Sequence, residues 1–243
     1  MNDIKISVIT VCYNSEKTIE RTLKSVLSQK VPVHEYIIVD GASTDGTLDI
    51  VRKYEPQFEG RMIVISEPDH GIYDAMNKGI MHASGDLIGI INSDDFYEAD
   101  ATQIISDAYQ GEEYAVLYGE MRVWSGNEYS VSFSSHEALR EGMINHPTCF
   151  VTKQAYEKFG MFDLQYCSVA DYDLMLRYAK EPEIKFVPIR KVIANFTCGG
   201  MCSSQKAYFD LLKMEVNYGW KTKREARVLR MKAKISHALG MNA

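Results

Sequence analysis

Cysteine is scarce in this sequence, and long hydrophobic runs are absent. The 243-residue chain has five cysteines, an odd number without a C-x-x-C pair, so neither a complete disulfide framework nor a zinc knuckle is indicated. No segment approaches the roughly 18 consecutive apolar residues of a membrane-spanning helix. The residues from Met1 to Lys5 also lack the charged and apolar regions of a secretory signal peptide. These absences predict a cytoplasmic protein.

Basic residues are also scarce over most of the chain. Residues 1–203 contain 18 Lys and Arg against 30 Asp and Glu, a net charge of −12, whereas residues 204–243 contain nine against three, a net charge of +6. An acidic body disfavours nucleic acid as the main ligand, because phosphate backbones are bound by basic surfaces. The change in charge predicts a main domain at 1–204 and a basic, amphipathic helical extension at 205–243.

Two adjacent carboxylates follow a short apolar stretch near the middle of the main domain. The stretch from Leu87 to Ile91 has polar residues on either side and predicts a strand buried on both faces of a parallel sheet. Because ligands of open α/β sheets bind outside the carboxyl ends of the strands, Asp94 and Asp95 would lie at the mouth of a crevice. Like charges this close favour a bound cation, although an acidic pair can also cap the helix that follows.

Strands and helices alternate around that stretch. Strands are predicted at 5–11, 36–39, 62–66 and 87–91, and the helix that precedes the last of them is predicted at 72–82. Three strand–helix units followed by a fourth strand predict an α/β fold, with a Rossmann-like, mostly parallel sheet flanked by helices.

The alternation weakens beyond residue 96. Helices are predicted at 99–109, 153–159 and 170–178, strands at 116–118, 148–151 and 192–196, and a hairpin at 121–133 that turns at 125–127. Two further helices are predicted at 207–218 and 223–239 in the extension. The second of these alternates apolar and basic residues, which fits a helix on a membrane surface and equally a basic, solvated face of a helix packed on the body.

Polar side chains recur where the predicted strands end. Thr10, Tyr13, Asp40 and Asp69 join the carboxylate pair in this position. The turn after the second strand is not a phosphate loop, because Thr47 stands where such a loop needs lysine, and no G-x-G-x-x-G follows the first strand. An aromatic ring and carboxylates suit the base, ribose and diphosphate-bound metal of a nucleoside diphosphate.

Several short motifs, in this order and spacing, resemble the family-2 glycosyltransferases. They are SVITVCYN at 7–14, IVDGASTDGT at 38–47, GIYDAMNKG at 71–79, GD at 85–86, NSDD at 92–95, HP at 146–147, GMFD at 160–163, ADYDL at 170–174 and GG at 199–200. The resemblance covers about residues 4–204. It implies the GT-A fold and inverting transfer from a nucleotide-sugar donor, and it favours the cation over the helix cap for the acidic pair.

The resemblance also implies roles for individual residues. Thr10, Tyr13 and Asp40 would hold the base, with the Asp40 carboxylate accepting from a uracil imide. Asp94 matches the ribose contact, and Asp95 matches the ligand of a divalent ion, Mn²⁺ or Mg²⁺.

A single carboxylate is expected to act as the catalytic base. Asp171 matches the base of the family's acidic-Asp pair, while Ala170 replaces the acidic partner. Asp173 lies two residues further on the same predicted helix and therefore faces about 200° away. Pairing with Lys or Arg, or a bond to a backbone N–H, is expected there. The remaining expected donor or acceptor contacts are Asn77, Lys78, His146, Gly199 and Gly200.

The partners are expected from the same resemblance. The donor would be a UDP-sugar and the acceptor a hydroxyl of a glycan or of a lipid-linked intermediate in cell-surface polysaccharide synthesis. The Q-x-x-R-W signature of processive synthases is absent, which favours addition of one sugar per encounter. A peripheral position at the inner face of the cell membrane and a homodimer are further hypotheses for the extension.

Two other classes stay open at this point. A sugar nucleotidyltransferase could share the sheet and the metal-binding aspartate, but it would show a loop rich in Gly and in Arg or Lys after the first strand, and residues 10–14 are not of that kind. A non-catalytic nucleotide-sugar-binding protein would bind UDP without needing a working Asp171.

Overall fold

The computed structural model describes residues 4–197 and 205–238. The strands are β1 (Ile6–Cys12), β2 (Glu35–Asp40), β3 (Met62–Ser66), β4 (Leu87–Ile90), β5 (Phe96–Tyr97), β6 (Ala115–Ser125), β7 (Glu128–Ser132), β8 (Phe150–Thr152) and β9 (Lys185–Thr197). The helices are α1 (Ile19–Leu27), α2 (Thr47–Tyr54), α3 (Ile72–His82), α4 (Ala101–Ala108), α5 (Lys153–Phe159), α6 (Ala170–Tyr178), α7 (Gln205–Asn217) and α8 (Lys223–Ala238).

One sheet of nine strands organises the described part of the chain. Its order is β3-β2-β1-β4-β8-β6-β9-β5, and β7 pairs with β6. β1 pairs in parallel with both β2 and β4, so the chain runs outward from β1 to β3 and then returns to the other side of β1. A crevice forms outside the carboxyl ends of strands where the order reverses in this way. The predicted α/β fold is therefore confirmed, and β4 is central as expected.

The second half of the sheet mixes strand directions. β8 is antiparallel to both β4 and β6, whereas β9 is parallel to β6. The β6–β7 hairpin turns between Ser125 and Glu128, as predicted. β6 and β9 are longer than the strands predicted at 116–118 and 192–196, because they pair with each other from Ala115 and Lys185 to Trp124 and Thr197.

Alternate residues of the buried strands feed two apolar layers. On β1, Ile9 and Val11 point to one layer and Ile6 and Val8 to the other, and all four are buried. Helices α3, α5 and α6 cover the first layer, and α1, α2 and α4 cover the second. Since both faces are covered, the strands are apolar throughout rather than alternating, which made them readable from the sequence.

Helix α3 packs closely on β1 because Gly79 has no side chain. A Cβ atom at this position would lie 2.6 Å from Cγ2 of Ile9. The close approach fixes α3 against the sheet, so its first turn is held beside the ends of the central strands.

The extension begins with a helix that is part of the body. In α7, Met214 is fully buried in the layer that contains α6. The Asp210 carboxylate accepts from the backbone N–H of Ser168, and Tyr218 donates to Asp173 at 2.9 Å. The predicted boundary at 204/205 adjoins residues 198–204, which lie outside the described residues. Across the described chain, no helix has the length and apolar character required to cross a membrane.

Candidate active site

Hydrogen bonds tie together the loops that follow β1 and β4. The Ser15 and Ser93 hydroxyls lie 2.8 Å apart. Arg21 on α1 donates to the backbone carbonyl of Asp94 and to the hydroxyl of Thr197, and its guanidinium lies 4.4 Å from the centre of the Phe96 ring. These contacts fix the backbone that carries the acidic pair.

An exposed aromatic ring lies beside a carboxylate at one side of this region. Tyr13 is 63% exposed. Asp69 Oδ1 accepts from the backbone N–H of Gly71 at 2.8 Å. A Cβ atom on Gly41 would lie 2.4 Å from Asp69 Oδ2 and 3.4 Å from the Tyr13 ring. The absence of a side chain at Gly41 thus leaves room for the Asp69 carboxylate next to the ring, an arrangement suited to stacking a base and accepting from its edge.

Asp40 and Thr10 form hydrogen bonds within the protein. Both are fully buried. Asp40 Oδ2 accepts from the Ser43 backbone N–H at 3.0 Å and from the Ser66 hydroxyl at 2.7 Å, while the Thr10 and Tyr36 hydroxyls lie 2.9 Å apart. These side chains hold the loops in place through bonds inside the protein, and the direct nucleobase contacts predicted for Asp40 and Thr10 stay predictions.

The acidic pair is divided between a buried and a half-buried carboxylate. Asp95 is fully buried, and its Oδ1 accepts from the Thr197 backbone N–H at 3.0 Å. Burial and the neighbouring charge of Asp94 raise the pKa of Asp95 to about 7. Asp94 is half-buried, which gives it the easier access to a ligand.

Among the described residues, two buried oxygens in this loop have no hydrogen-bond partner. They are Asn92 Oδ1 and Asp95 Oδ2. An unpaired buried oxygen beside a second carboxylate is suited to a hard divalent cation, which takes oxygen ligands. The described residues contain no group of three or more His, Cys, Asp or Glu side chains that could hold a metal ion. The donor set thus fits Mn²⁺ or Mg²⁺ shared with phosphate oxygens, and does not fit an ion enclosed by the protein.

Asp171 has one carboxylate oxygen held in place. It lies at the start of α6 and is half-buried, as the sequence predicts for a residue at the helix N-terminus. Its Oδ1 accepts from the Tyr73 hydroxyl at 2.7 Å and from the Tyr172 backbone N–H at 3.0 Å. Among the described residues, no hydrogen bond to Oδ2 is found, so this oxygen is the one able to accept a proton.

Asp173 makes the ion pair that its position on the helix predicts. It is buried, and its Oδ2 accepts from Arg177 Nε at 2.8 Å. Its Oδ1 accepts from the Tyr218 hydroxyl at 2.9 Å. The prediction of pairing with Lys or Arg is confirmed, and Asp173 fixes α6 from the side opposite to Asp171.

Two other side chains expected to contact the donor or acceptor, Asn77 and Lys78, form bonds within the protein. Both ends of the Asn77 amide bond the backbone of Phe162, at 2.9 and 3.0 Å. Lys78 Nζ lies 2.9 Å from Glu67 and 3.5 Å from Asp74. Asn77 thus joins α3 to the loop at Phe162, and Lys78 forms ion pairs; the donor or acceptor contacts predicted for both stay predictions.

The charge of the Asp171 carboxylate affects the pKa of His146. Burial lowers the pKa of His146, against an opposing effect of the Asp171 carboxylate. Its ring packs edge-on against Phe162, with ring centres 5.7 Å apart. The imidazole is thus buried against Phe162, and the ligand contact predicted for His146 stays a prediction. Gly199 and Gly200 lie outside the described residues.

Sequence reasoning missed the residues that hold the acidic groups. Tyr73, Arg21 and Thr197 were not singled out, although each bonds Asp171 or the acidic pair directly. The sequence signal for Tyr73 is its position: it is an aromatic residue in the first turn of α3, next to the polar loop at Asp69. Arg21 and Thr197 gave no such signal, because their contacts join segments far apart in the chain.

Comparison with known proteins agrees with this arrangement. The family model described as "Glycosyl transferase family 2" matches residues 7–172. The chain belongs to glycosyl transferase family 2. The matched region includes the acidic pair, Tyr13 and Asp171.

Curated members of the family resemble the chain over most of its length. A glycosyltransferase of PGL/p-HBAD biosynthesis from Mycobacterium bovis is 29% identical over 220 residues, which cover 88% of this chain and 86% of the relative. An uncharacterised glycosyltransferase from Mycobacterium tuberculosis is 33% identical over 224 residues, 86% of this chain and 82% of the relative. The likeness extends to residues beyond the matched family region.

Solved glycosyltransferase structures share the fold. S. aureus TarS 1–349 in complex with UDP-GlcNAc superposes with a TM-score of 0.70 at 21% identity, over 87% of this chain and 65% of that one. The mannosyltransferase PcManGT from Pyrobaculum calidifontis, in complex with GDP-Man and Mn²⁺, gives a TM-score of 0.67 at 17% identity, over 96% and 69%. The chain spans only 39% of the longer TarS chain. These likenesses show the GT-A fold.

Proposed function

We propose that this family-2 glycosyltransferase moves one sugar, with inversion, from a UDP-sugar to a hydroxyl group of a glycan or lipid-linked acceptor. The observation that carries the proposal is the half-buried Asp171 carboxylate, whose Oδ1 is held by Tyr73 at 2.7 Å. One positioned base and one leaving-group site suffice for a single displacement. Relatives named for PGL/p-HBAD biosynthesis and for chondroitin synthesis support a role in cell-surface glycan assembly.

The chemistry of the base follows from its hydrogen bonds. Attack by the acceptor oxygen on the anomeric carbon forms the new glycosidic bond and breaks the bond to the diphosphate, and the acceptor must lose its proton as this happens. Asp171 Oδ2 receives that proton, because Oδ1 is occupied by the Tyr73 hydroxyl and the Tyr172 N–H. No second carboxylate nucleophile is needed.

The donor is held by the groups at the ends of β1 and β4. The Tyr13 ring stacks on the base, and Asp69 Oδ2, rather than Asp40, accepts from the uracil imide. Asp94 contacts the ribose, and Asp95 with Asp94 would hold the divalent ion. When bound, Mn²⁺ or Mg²⁺ neutralises charge on the departing diphosphate.

A panel of nucleotide sugars tests the donor assignment. We expect metal-dependent release of UDP from one UDP-sugar and none from GDP-sugars. Tyr13→Ala should weaken UDP binding about tenfold, because base stacking contributes about 1–3 kcal/mol, whereas Tyr129→Ala, which removes another exposed ring, should leave it unchanged. Isothermal titration with UDP measures this. Tight UDP binding with no turnover of any donor would instead support a non-catalytic binding protein.

Tyr73→Phe tests the positioning of the base. Losing the hydroxyl that bonds Asp171 should lower kcat about tenfold and leave KM for the donor unchanged, since a hydrogen bond to a charged group contributes about 1.5–3 kcal/mol. A merely structural role would lower the thermal stability of the variant without this separation between kcat and KM.

A matched control for this change is Tyr114→Phe. The Tyr114 hydroxyl also donates to a carboxylate, that of Glu113 at 2.6 Å, but on the surface. Its loss should change neither kcat nor KM for the donor. Equal kinetics of the Tyr73 and Tyr114 variants would contradict the assignment.

A further inference from the structure

Helix α8 exposes a row of apolar side chains. Val228, Met231 and Ile235 are 46%, 59% and 56% exposed. At 3.6 residues per turn they fall within an arc of about 60°. The opposite side of the helix carries Ala226, which is buried. The row therefore faces away from the contact that holds α8 in place.

The same helix is strongly basic. It contains six Lys and Arg residues and one acidic residue, Glu225. All six basic side chains are exposed, and within the described ranges none of them forms a salt bridge. They are Lys223, Arg224, Arg227, Arg230, Lys232 and Lys234. Helical spacing places Arg227 and Lys234 on one side of the apolar row and Lys232 on the other.

A groove between α7 and α8 adjoins the row. Its volume is about 410 Å³. Apolar and basic side chains share its lining, among them Leu212, Val216, Met231, Lys213, Arg227 and Lys234. Met231 belongs both to the groove and to the exposed row, so cationic groups surround a continuous apolar surface.

We propose that α8 and this groove dock on a bilayer surface that contains anionic lipid. Apolar side chains of an interfacial helix enter the boundary between headgroups and acyl chains, while Lys and Arg extend to the headgroups. Negative headgroups complement the net charge of +5 on α8. This attachment is independent of the sugar transferred; its use in reaching a lipid-linked acceptor rests on the proposed function.

A second copy of the chain is the less suitable occupant of the row. Two α8 helices brought face to face would oppose their positive charges, and no acidic residue other than Glu225 lies on the helix to compensate. Charge complementarity thus favours the bilayer.

The experiment is co-sedimentation of the full chain with vesicles of phosphatidylcholine, with and without phosphatidylglycerol. Removing residues after 204 is unsuitable, because Met214 of α7 belongs to the core, so the changes are confined to exposed α8 positions. The wild type should pellet with the anionic vesicles only, and less at high salt. Arg227→Gln/Lys232→Gln/Lys234→Gln should lower the partition coefficient about 100-fold. Met231→Ser/Ile235→Ser should lower it at least ~10-fold.

Matched changes on the body separate a local surface from overall charge and hydrophobicity. Lys17→Gln/Lys53→Gln/Lys191→Gln removes the same charge from exposed positions. Met81→Ser/Val131→Ser removes side chains that are 64% and 51% exposed. Both controls should pellet like the wild type. Equal pelleting of the α8 variants and their controls would overturn the proposal.

Two further readings complete the test. Light scattering detects self-association: a wild-type dimer that the α8 variants convert to monomers, without vesicle binding, would assign the row to a contact between copies and overturn the proposal. UDP release with a soluble acceptor should be the same in wild type and α8 variants. Absent turnover with intact vesicle binding would count against the proposed function alone.

Discussion

Asp171→Asn is expected to lower sugar transfer at least ~10²-fold, the scale of a lost general base. The amide oxygen can still accept from the Tyr73 hydroxyl, which now bonds Asp171 Oδ1, so the geometry is kept while the proton acceptor is lost. UDP affinity should stay nearly unchanged, because the groups proposed to bind the uracil ring lie on other loops. Single-turnover transfer and isothermal titration with UDP measure the two effects separately.

Asp173→Asn is the control, since it makes the same chemical change two residues away. Asp173 is buried and bonds Arg177 and Tyr218. Its loss should therefore act on stability, by about 1.5–3 kcal/mol for weakened hydrogen bonds to a charged group, which exceeds the value of about 1 kcal/mol typical of single substitutions. Thermal unfolding measures this. Near-normal transfer by Asp171→Asn, together with a folded but inactive Asp173→Asn, would show that Asp173 and not Asp171 is the catalytic base.

Asp95→Asn is expected to reduce donor turnover about 10³-fold, on the scale of several kcal/mol that a metal ion supplies. The amide keeps the shape of the buried side chain and its bond from the Thr197 N–H, but removes the charge that we propose holds the ion. Excess EDTA should likewise abolish turnover by the wild type, and added Mn²⁺ should restore it. UDP release, followed as the metal concentration is varied, measures both.

The matched control is Asp100→Asn. Asp100 lies five residues further along and pairs with Lys30 at 3.4 Å on the surface, where an ion pair contributes about 0–1 kcal/mol. This variant should keep the turnover and metal dependence of the wild type. Full wild-type activity in EDTA would refute the metal assignment.

Local patterns predicted the elements whose signals are local. Helix α3 has the bounds predicted from the sequence, Ile72–His82, and α5 ends at Phe159 before Gly160, where the positive φ of 88° suits glycine. Strands β6 and β9 were predicted too short. Their length comes from pairing with each other across the chain, which residue patterns within one segment do not record.

The sequence predicts which side chains lie at the candidate site, but it does not predict the hydrogen bonds that orient them. Asp40 and Asp69 both lie where a strand ends. The Asp40 carboxylate accepts hydrogen bonds from Ser43 and Ser66, whereas the Asp69 carboxylate lies next to Gly41. The direction of a side chain depends on loop backbone and on partners distant in sequence. The Tyr73–Asp171 bond, between residues 98 apart, is of the same kind.

The bond between Tyr218 and Asp173 imposes an order on biosynthesis. The two residues are 45 positions apart, so α6 is synthesised before the tyrosine that donates to its buried carboxylate. At about 5–20 residues per second this interval lasts roughly 2–9 seconds. During that time the nascent chain carries an incompletely bonded carboxylate and an apolar surface that Met214 later covers. The helix that carries Asp171 therefore gains its full set of contacts only after α7 and Tyr218 have been synthesised.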